Sequence, residues 1–80
     1  MPVVFRWKNF TFFFFSNEGD PREPSHIHVR SGGARAKFWL RPVELAENIG
    51  FAAHELNSLL AVIEENQALI ERVWHEHFGI

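Results

Sequence analysis

The first half of the chain alternates apolar and polar residues with the period of two that is typical of β-strands. Residues 3–7 alternate around Arg6, and residues 10–15 are aromatic or Thr throughout. Residues 26–30 and 34–40 alternate in the same way. Because β-branched and aromatic side chains favour extended backbone, we predict a strand in each of these segments.

Two short turn signals join these segments into two antiparallel hairpins. Lys8-Asn9 separates the first pair and Gly32-Gly33 the second, and each suits a two-residue loop, with Asn9 tolerating the left-handed conformation. In the second hairpin this loop places His28 opposite Lys37. A slip by one residue would exchange core and surface along a strand, so we expect a firm register there.

The second predicted strand carries apolar side chains on both of its faces. Such a strand either lies centrally in a sheet that is covered twice or uses its second face as a contact surface. We expect Phe13 and Phe15 to be core residues rather than a base-stacking platform. The two-residue loop predicts these cross-strand pairs: Trp7 with Phe10, Phe5 with Phe12, Val3 with Phe14, Arg6 with Thr11, and Val4 with Phe13.

The second half of the chain changes to a helical period. Residues 16–25, with two prolines and a glycine, predict a loop, and residues 43–48 fit either a short fifth strand or a single helical turn. From about Ala53 the apolar residues recur every three or four positions as far as Gly79. Because polar residues 64–67 interrupt this stripe, we predict either one bent helix or two helices joined near Asn66.

These elements predict one α+β domain over residues 1–80. Its antiparallel sheet of four or five strands consists of two hairpins, and one bent helix or two C-terminal helices follow. A helix with one apolar stripe has to bury that stripe on one face of the sheet. The opposite sheet face then remains open for contact.

Composition limits the ways in which so small a chain is stabilised. Cys is absent, which excludes disulfides and thiolate zinc sites, and nine Phe and three Trp supply buried area instead. Dimerisation or a bound partner is the other common supplement, so we include a homodimer among the expectations. No signal-peptide pattern and no apolar run long enough to span a bilayer is present, which favours the cytoplasm and excludes a membrane partner.

Charge is distributed unevenly along the sequence. The sheet half, residues 1–41, carries a net charge of +4, whereas the helical half, residues 42–80, carries −6. Either the two halves neutralise each other across the fold, or the basic half binds an anionic partner.

The outward face of the second hairpin holds the candidate binding residues. Arg30 opposite Arg35 is unfavourable by a few tenths of a kcal/mol, because like charges then face each other across the ladder. A bound anion, such as an RNA phosphate, would relieve this repulsion. The predicted anion-binding and RNA-binding residues are Arg30, Arg35, Lys37 and Trp39, with Arg6 from the first hairpin.

His26 and His28 are the candidate catalytic residues, on the same face. They fit proton transfer in RNA cleavage, contact with phosphate, or a divalent metal site completed by Asp20 or Glu23. A purely structural pair of histidines is the remaining alternative. No cofactor is expected unless that metal site exists.

Two further groups of polar residues predict no site. His75 and His77 lie two positions apart on a helix, where side chains do not share a face, so they form a poor metal pair. Glu44, Glu47 and Asn48 fit exposed charges in a turn better than an acidic site.

Several short motifs are unspecific one by one, but their combination in one chain is specific. They are Phe12-Phe13-Phe14-Phe15-Ser16-Asn17-Glu18, His26-Ile27-His28-Val29, Ala36-Lys37-Phe38-Trp39-Leu40, Pro42-Val43-Glu44-Leu45-Ala46-Glu47-Asn48 with Gly50-Phe51, and Trp74-His75-Glu76-His77-Phe78-Gly79. Over nearly the whole chain they resemble the domain-of-unknown-function 4160 family. That family usually has two prolines before its His-x-His, where this chain has Pro24-Ser25.

The resemblance implies a small prokaryotic protein from a type II toxin–antitoxin module. Members are often encoded beside the domain-of-unknown-function 2442 group, and this family is usually proposed as the toxin. The implied function is a toxin-like component that binds a small antitoxin-like protein, while RNA binding is the separate expectation from the basic sheet face. The resemblance assigns no catalytic residues.

Overall fold

The computed structural model describes residues 3–15 and 23–79 of the protein. Within these residues the elements are β1 (Val3–Trp7), β2 (Phe10–Phe13), β3 (His26–Ser31), β4 (Ala34–Leu40), β5 (Val43–Ile49), α1 (Ala53–Glu65) and α2 (Gln67–Phe78). The strands form an antiparallel sheet in chain order, and both helices pack on one of its faces. The α+β prediction is confirmed, with a fifth strand and two helices as the correct alternatives.

The second hairpin has the predicted register. His28 pairs with Lys37 and Arg30 pairs with Arg35, so the side chains of each pair share a face. Gly32 adopts a φ of 58° in the turn, a conformation that glycine reaches without steric cost. The turn chemistry therefore determines the register of the central strand pair.

The first hairpin agrees with its predicted register only next to the turn. Val3 pairs with Phe13 rather than Phe14, because an irregularity between Val3 and Phe5 takes Val4 out of the ladder. The predicted Val3–Phe14 and Val4–Phe13 pairs are therefore wrong. In the turn, the left-handed residue is Lys8, with a φ of 52°, rather than Asn9.

The second strand is shorter than its apolar run. It ends at Phe13 and not at Phe15, because Phe14 leaves the ladder and packs edge-on against Trp74 of α2 at 5.2 Å between ring centroids. Phe14 is fully buried, whereas Phe15 is exposed. The aromatic run at residues 12–15 therefore places rings on both faces of the sheet.

The core lies between one sheet face and the two helices. Alternation along β2, β3 and β4 directs one set of side chains toward α1 and α2, whose apolar stripes meet them. The fully buried apolar residues of the strands are Phe12, Ile27, Val29, Phe38 and Leu40, and those of the helices are Leu59, Ile63 and Ile70, with Trp74 at 1% exposure. None of the described helices is long and apolar enough to cross a membrane.

Asn66 separates the two helices. Its backbone N–H donates to the carbonyl groups of Val62 and Ile63, and its side-chain amide donates to Val62 at 2.8 Å. Its own carbonyl accepts from Ile70 at the start of α2. The polar interruption at residues 64–67 is thus the junction of two helices.

A small polar cluster ties α2 to the end of the sheet. The Glu71 carboxylate accepts hydrogen bonds from Arg41 at 2.5 Å and from Ser25 at 3.2 Å, and Gln67 donates to the carbonyl of Leu40. The hydrogen bond and the charge of Glu71 raise the pKa of Arg41 above its ordinary value. These contacts hold α2 where its apolar stripe meets the sheet.

Gly50 makes the sharp turn between β5 and α1. Its φ is 92°, and the Asn48 side chain braces the turn with hydrogen bonds to the backbone N–H and carbonyl of Phe51. A Cβ at position 50 would lie 3.2 Å from the Cβ of Ala34. The turn therefore requires glycine for both its conformation and its space.

We expect Gly50→Ala to lower the free energy of unfolding by about 2 kcal/mol, because backbone strain of this kind typically costs 1–3 kcal/mol. Urea denaturation followed by circular dichroism measures the loss. Gly33→Ala is the matched control, since its Cβ would meet nothing within 4 Å and its φ is not left-handed. Equal stability of the two variants would contradict this account of the turn.

Candidate nucleic-acid interface

The sheet face opposite the helices carries rings and cations side by side. The confirmed register of β3 and β4 sends alternate side chains to this face, and β2 adds its own. We call it the basic aromatic face, and its defining residues are Phe13, Phe15, His28, Arg30, Arg35, Lys37 and Trp39.

An aromatic cluster occupies the middle of this face. The ring of His28 stacks on Phe13 at 5.5 Å and meets Phe15 edge-on at 4.6 Å. Phe13 is buried by these neighbours, but Phe15 remains 41% exposed. Neighbouring side chains therefore cover part of the second apolar face of β2. We expected Phe15 in the core, but its ring is partly exposed.

The cations lie next to these rings. The Arg30 guanidinium is 5.0 Å from the centre of the Phe13 ring, and the Lys37 ammonium is 4.5 Å from the centre of the Trp39 ring. Lys37 also forms an ion pair with Glu23 at 3.2 Å. Such cation–π contacts hold the charges close to apolar surface, which suits a ligand that has both flat rings and negative charge.

The two arginines that were predicted to face each other do so in the ladder. Arg30 and Arg35 are directly opposed, and both are exposed. Arg6 lies in the same row, because it pairs with Thr11, which in turn pairs with Arg30. All the predicted anion-binding cations thus share one face of the sheet.

His26 differs from its predicted exposed position, because it is fully buried. Its ring packs against Trp74 of α2 at 4.8 Å and against Trp39 at 5.8 Å, since α2 covers the beginning of β3. Its Nδ1 lies 2.9 Å from the carbonyl oxygen of Pro24, which only accepts, so Nδ1 carries a proton. His28, which is half-buried, is the histidine that reaches the face.

A pocket of about 130 Å³ opens on the basic aromatic face beside β5. Its apolar and ring-bearing wall consists of Phe13, Phe15, His28 and Ile49. Arg35, Lys37 and Glu47 supply charged groups, with Ala36 also lining the pocket. The pocket therefore combines flat apolar walls with donors and one carboxylate.

Glu47 lines the pocket, although sequence reasoning did not include it among the candidate site residues. It was interpreted as an exposed charge in a turn, but β5 pairs it with Lys37 and brings it to the pocket. Glu44 pairs with Trp39 on the same edge strand. The sequence does contain a signal for this strand, because the spacing from Val43 to Ile49 is compatible with a β-strand. A shift in the pairing of β4 with β5 next to Leu45 obscures that signal.

The predicted metal site gains no support from the described residues. In residues 3–15 and 23–79, no three His, Asp or Glu side chains gather as metal ligands would. Glu23 is bound to Lys37, and Asp20 lies outside the described residues. The ring of His77 packs against Phe78 at 4.6 Å between centroids.

Comparison with known proteins identifies the family of this fold. No curated protein and no solved structure matches the chain. A family model described as "Domain of unknown function (DUF4160)" matches residues 9–75, from the turn after β1 into α2. Since this match covers most of the chain and includes every residue of the pocket, the protein belongs to the DUF4160 family.

Proposed function

We propose that the protein binds single-stranded RNA on its basic aromatic face. The observation that carries this proposal is the meeting of rings and cations on one sheet face, where Phe15, Arg30 and Arg35 are exposed, while the core under the helices lies on the other face. Sheets that bind single strands use the same combination, because bases stack on aromatic side chains while cations contact phosphates.

The position of each group supports such a complex. Phe15 and Trp39 offer ring surface for bases, and Arg30, Arg35 and Lys37 lie within one or two strand spacings of them. The two helices carry five Glu and one Arg, a net charge of −4, so a nucleic acid is repelled from the helix side and directed to the opposite sheet face. RNA binding is also consistent with the predicted cytoplasmic location.

Binding of a labelled, unstructured RNA, measured by fluorescence anisotropy over a series of salt concentrations, tests the proposal. We expect affinity to fall steadily with salt, and Trp39→Ala to weaken binding about tenfold, since stacking contributes about 1–3 kcal/mol per base. Trp39→Phe is the matched variant and should recover most of the loss. Absence of binding by the unaltered protein, or full affinity in Trp39→Ala, would refute the proposal.

The enzymatic alternative within this proposal is that the basic aromatic face also cleaves the RNA it binds. His28 is the candidate for proton transfer, because His26 is buried and its Nδ1 proton is held by Pro24. Running the binding mixtures on a denaturing gel reports cleavage, and equal cleavage by His28→Ala would remove that role from His28.

The toxin-like role and the small protein partner remain proposals from the family resemblance. The edge strand β5, with Leu45 and Ile49 exposed, gives such a partner or a second copy a place to pair. Neither is needed for RNA binding by the isolated chain.

A further inference from the structure

We infer that the pocket beside β5 holds one base of the bound RNA and that it selects guanine. This inference rests on the proposed RNA binding and assigns a specificity to it. Its basis is the chemistry of the pocket wall: a carboxylate from Glu47, cationic donors from Arg35 and Lys37, and an exposed ring from Phe15.

The Glu47 carboxylate is the group that distinguishes the bases. On its Watson–Crick edge guanine has two adjacent N–H donors, N1–H and the N2 amino group, and the two oxygens of one carboxylate accept both. Adenine, cytosine and uracil each place an acceptor beside their donor on that edge, so the same carboxylate would face a lone pair. A carboxylate in a base-sized pocket therefore favours guanine.

The cations supply the complementary half of the recognition. Guanine accepts hydrogen bonds at O6 and N7, the atoms that Arg and Lys contact most often in nucleic acids. Lys37 and Glu47 are direct cross-strand partners, so their Cα atoms are only about 4.5–5.5 Å apart. A donor and an acceptor are thus placed side by side along one edge of a bound base.

The apolar walls of the pocket supply the affinity for a base of any kind. Phe15 is 41% and Ile49 54% exposed, and both line the pocket. A flat heteroaromatic ring between them would remove this apolar surface from water. Stacking supplies affinity for any base, whereas Glu47 supplies the preference.

Short uridine oligomers that carry one central guanosine, inosine or adenosine test the inference in the same anisotropy assay. We expect the guanosine oligomer to bind about tenfold more tightly than the adenosine oligomer, the size of effect given by one bidentate contact. Inosine should be intermediate because it lacks the N2 amino group. Glu47→Gln should abolish the preference while keeping the affinity for plain oligouridine.

Glu44→Gln is the matched control, because it makes the same charge change on the same strand but opposite Trp39. It should keep the preference for guanosine. Equal binding of all three oligomers by the unaltered protein, or a preference that survives Glu47→Gln, would overturn the guanine assignment and leave RNA binding intact. If no oligomer binds, both the assignment and the proposed function fail.

Discussion

Replacing Trp74 with alanine should lower the free energy of unfolding by about 3–5 kcal/mol, the range measured for large aromatic residues in protein cores. Trp74 is 1% exposed and touches Phe14, His26 and Phe78 with ring centroids 5.2, 4.8 and 4.4 Å away. Its removal leaves a cavity where α2 joins the sheet. Since a protein of this size has only about 5–15 kcal/mol in total, the loss should be visible as a much lower urea midpoint.

Two variants make the Trp74 result specific. Trp74→Phe keeps an aromatic ring at the site and should lose markedly less stability. Glu76→Ala, at an exposed position of the same helix, should stay within about 0.5 kcal/mol of the unaltered protein. A loss below about 1 kcal/mol in Trp74→Ala would mean that the core does not depend on this junction.

Neutralising Arg35 and Lys37 together, as Arg35→Gln with Lys37→Gln, should weaken RNA binding roughly fiftyfold at low salt, because contacts to phosphate and to the base are both lost. Each phosphate contact that is lost reduces the salt dependence of single-strand binding by about 0.7, and since Lys37 is assigned to the base, loss of the Arg35 contact should make the slope shallower by about 0.7. Stability should change little, because relief of the Arg30–Arg35 repulsion offsets the lost Lys37–Glu23 ion pair. Affinity is measured as a function of salt, and stability by urea denaturation.

The control for this variant changes the net charge equally at other places. Lys8 lies in the turn of the first hairpin with its ammonium over Trp7, and Arg72 is exposed on α2. The double variant Lys8→Gln with Arg72→Gln should bind RNA with nearly the original affinity and slope. If both double variants lose affinity equally, the attraction is a property of net charge and the basic aromatic face has no special role.

The binding face and the stable core are produced by the same alternation. Phe38 points to the helices while its neighbours Lys37 and Trp39 point away, and the Gly32-Gly33 turn aligns them with β3. Side chains on this face therefore contribute less to the core than Phe38 does. Variants on it are therefore expected to separate binding from folding.

The sequence by itself determined the elements whose signals are local. A period of two, a period near 3.6 and a glycine pair are local patterns. They correctly predicted the existence of the first four strands, the helical half and the register of β3 with β4, although β2 ends two residues earlier than expected. The same register places Arg30, Arg35 and Lys37 on one face of the sheet. Short-range geometry is sufficient for these features, because a two-residue turn leaves a strand pair only one favourable alignment.

Only the tertiary structure decided the features that depend on distant contacts. His26 has the alternation of an outward residue, yet it is buried because Trp74 of α2, far along the chain, covers it. Residues 43–49 become a strand because the edge of β4 offers hydrogen bonds, and this pairing brings Glu47 into the pocket. Burial at the end of a strand and pairing at the edge of a sheet are settled by the neighbour that packs there, which no local pattern of residues specifies.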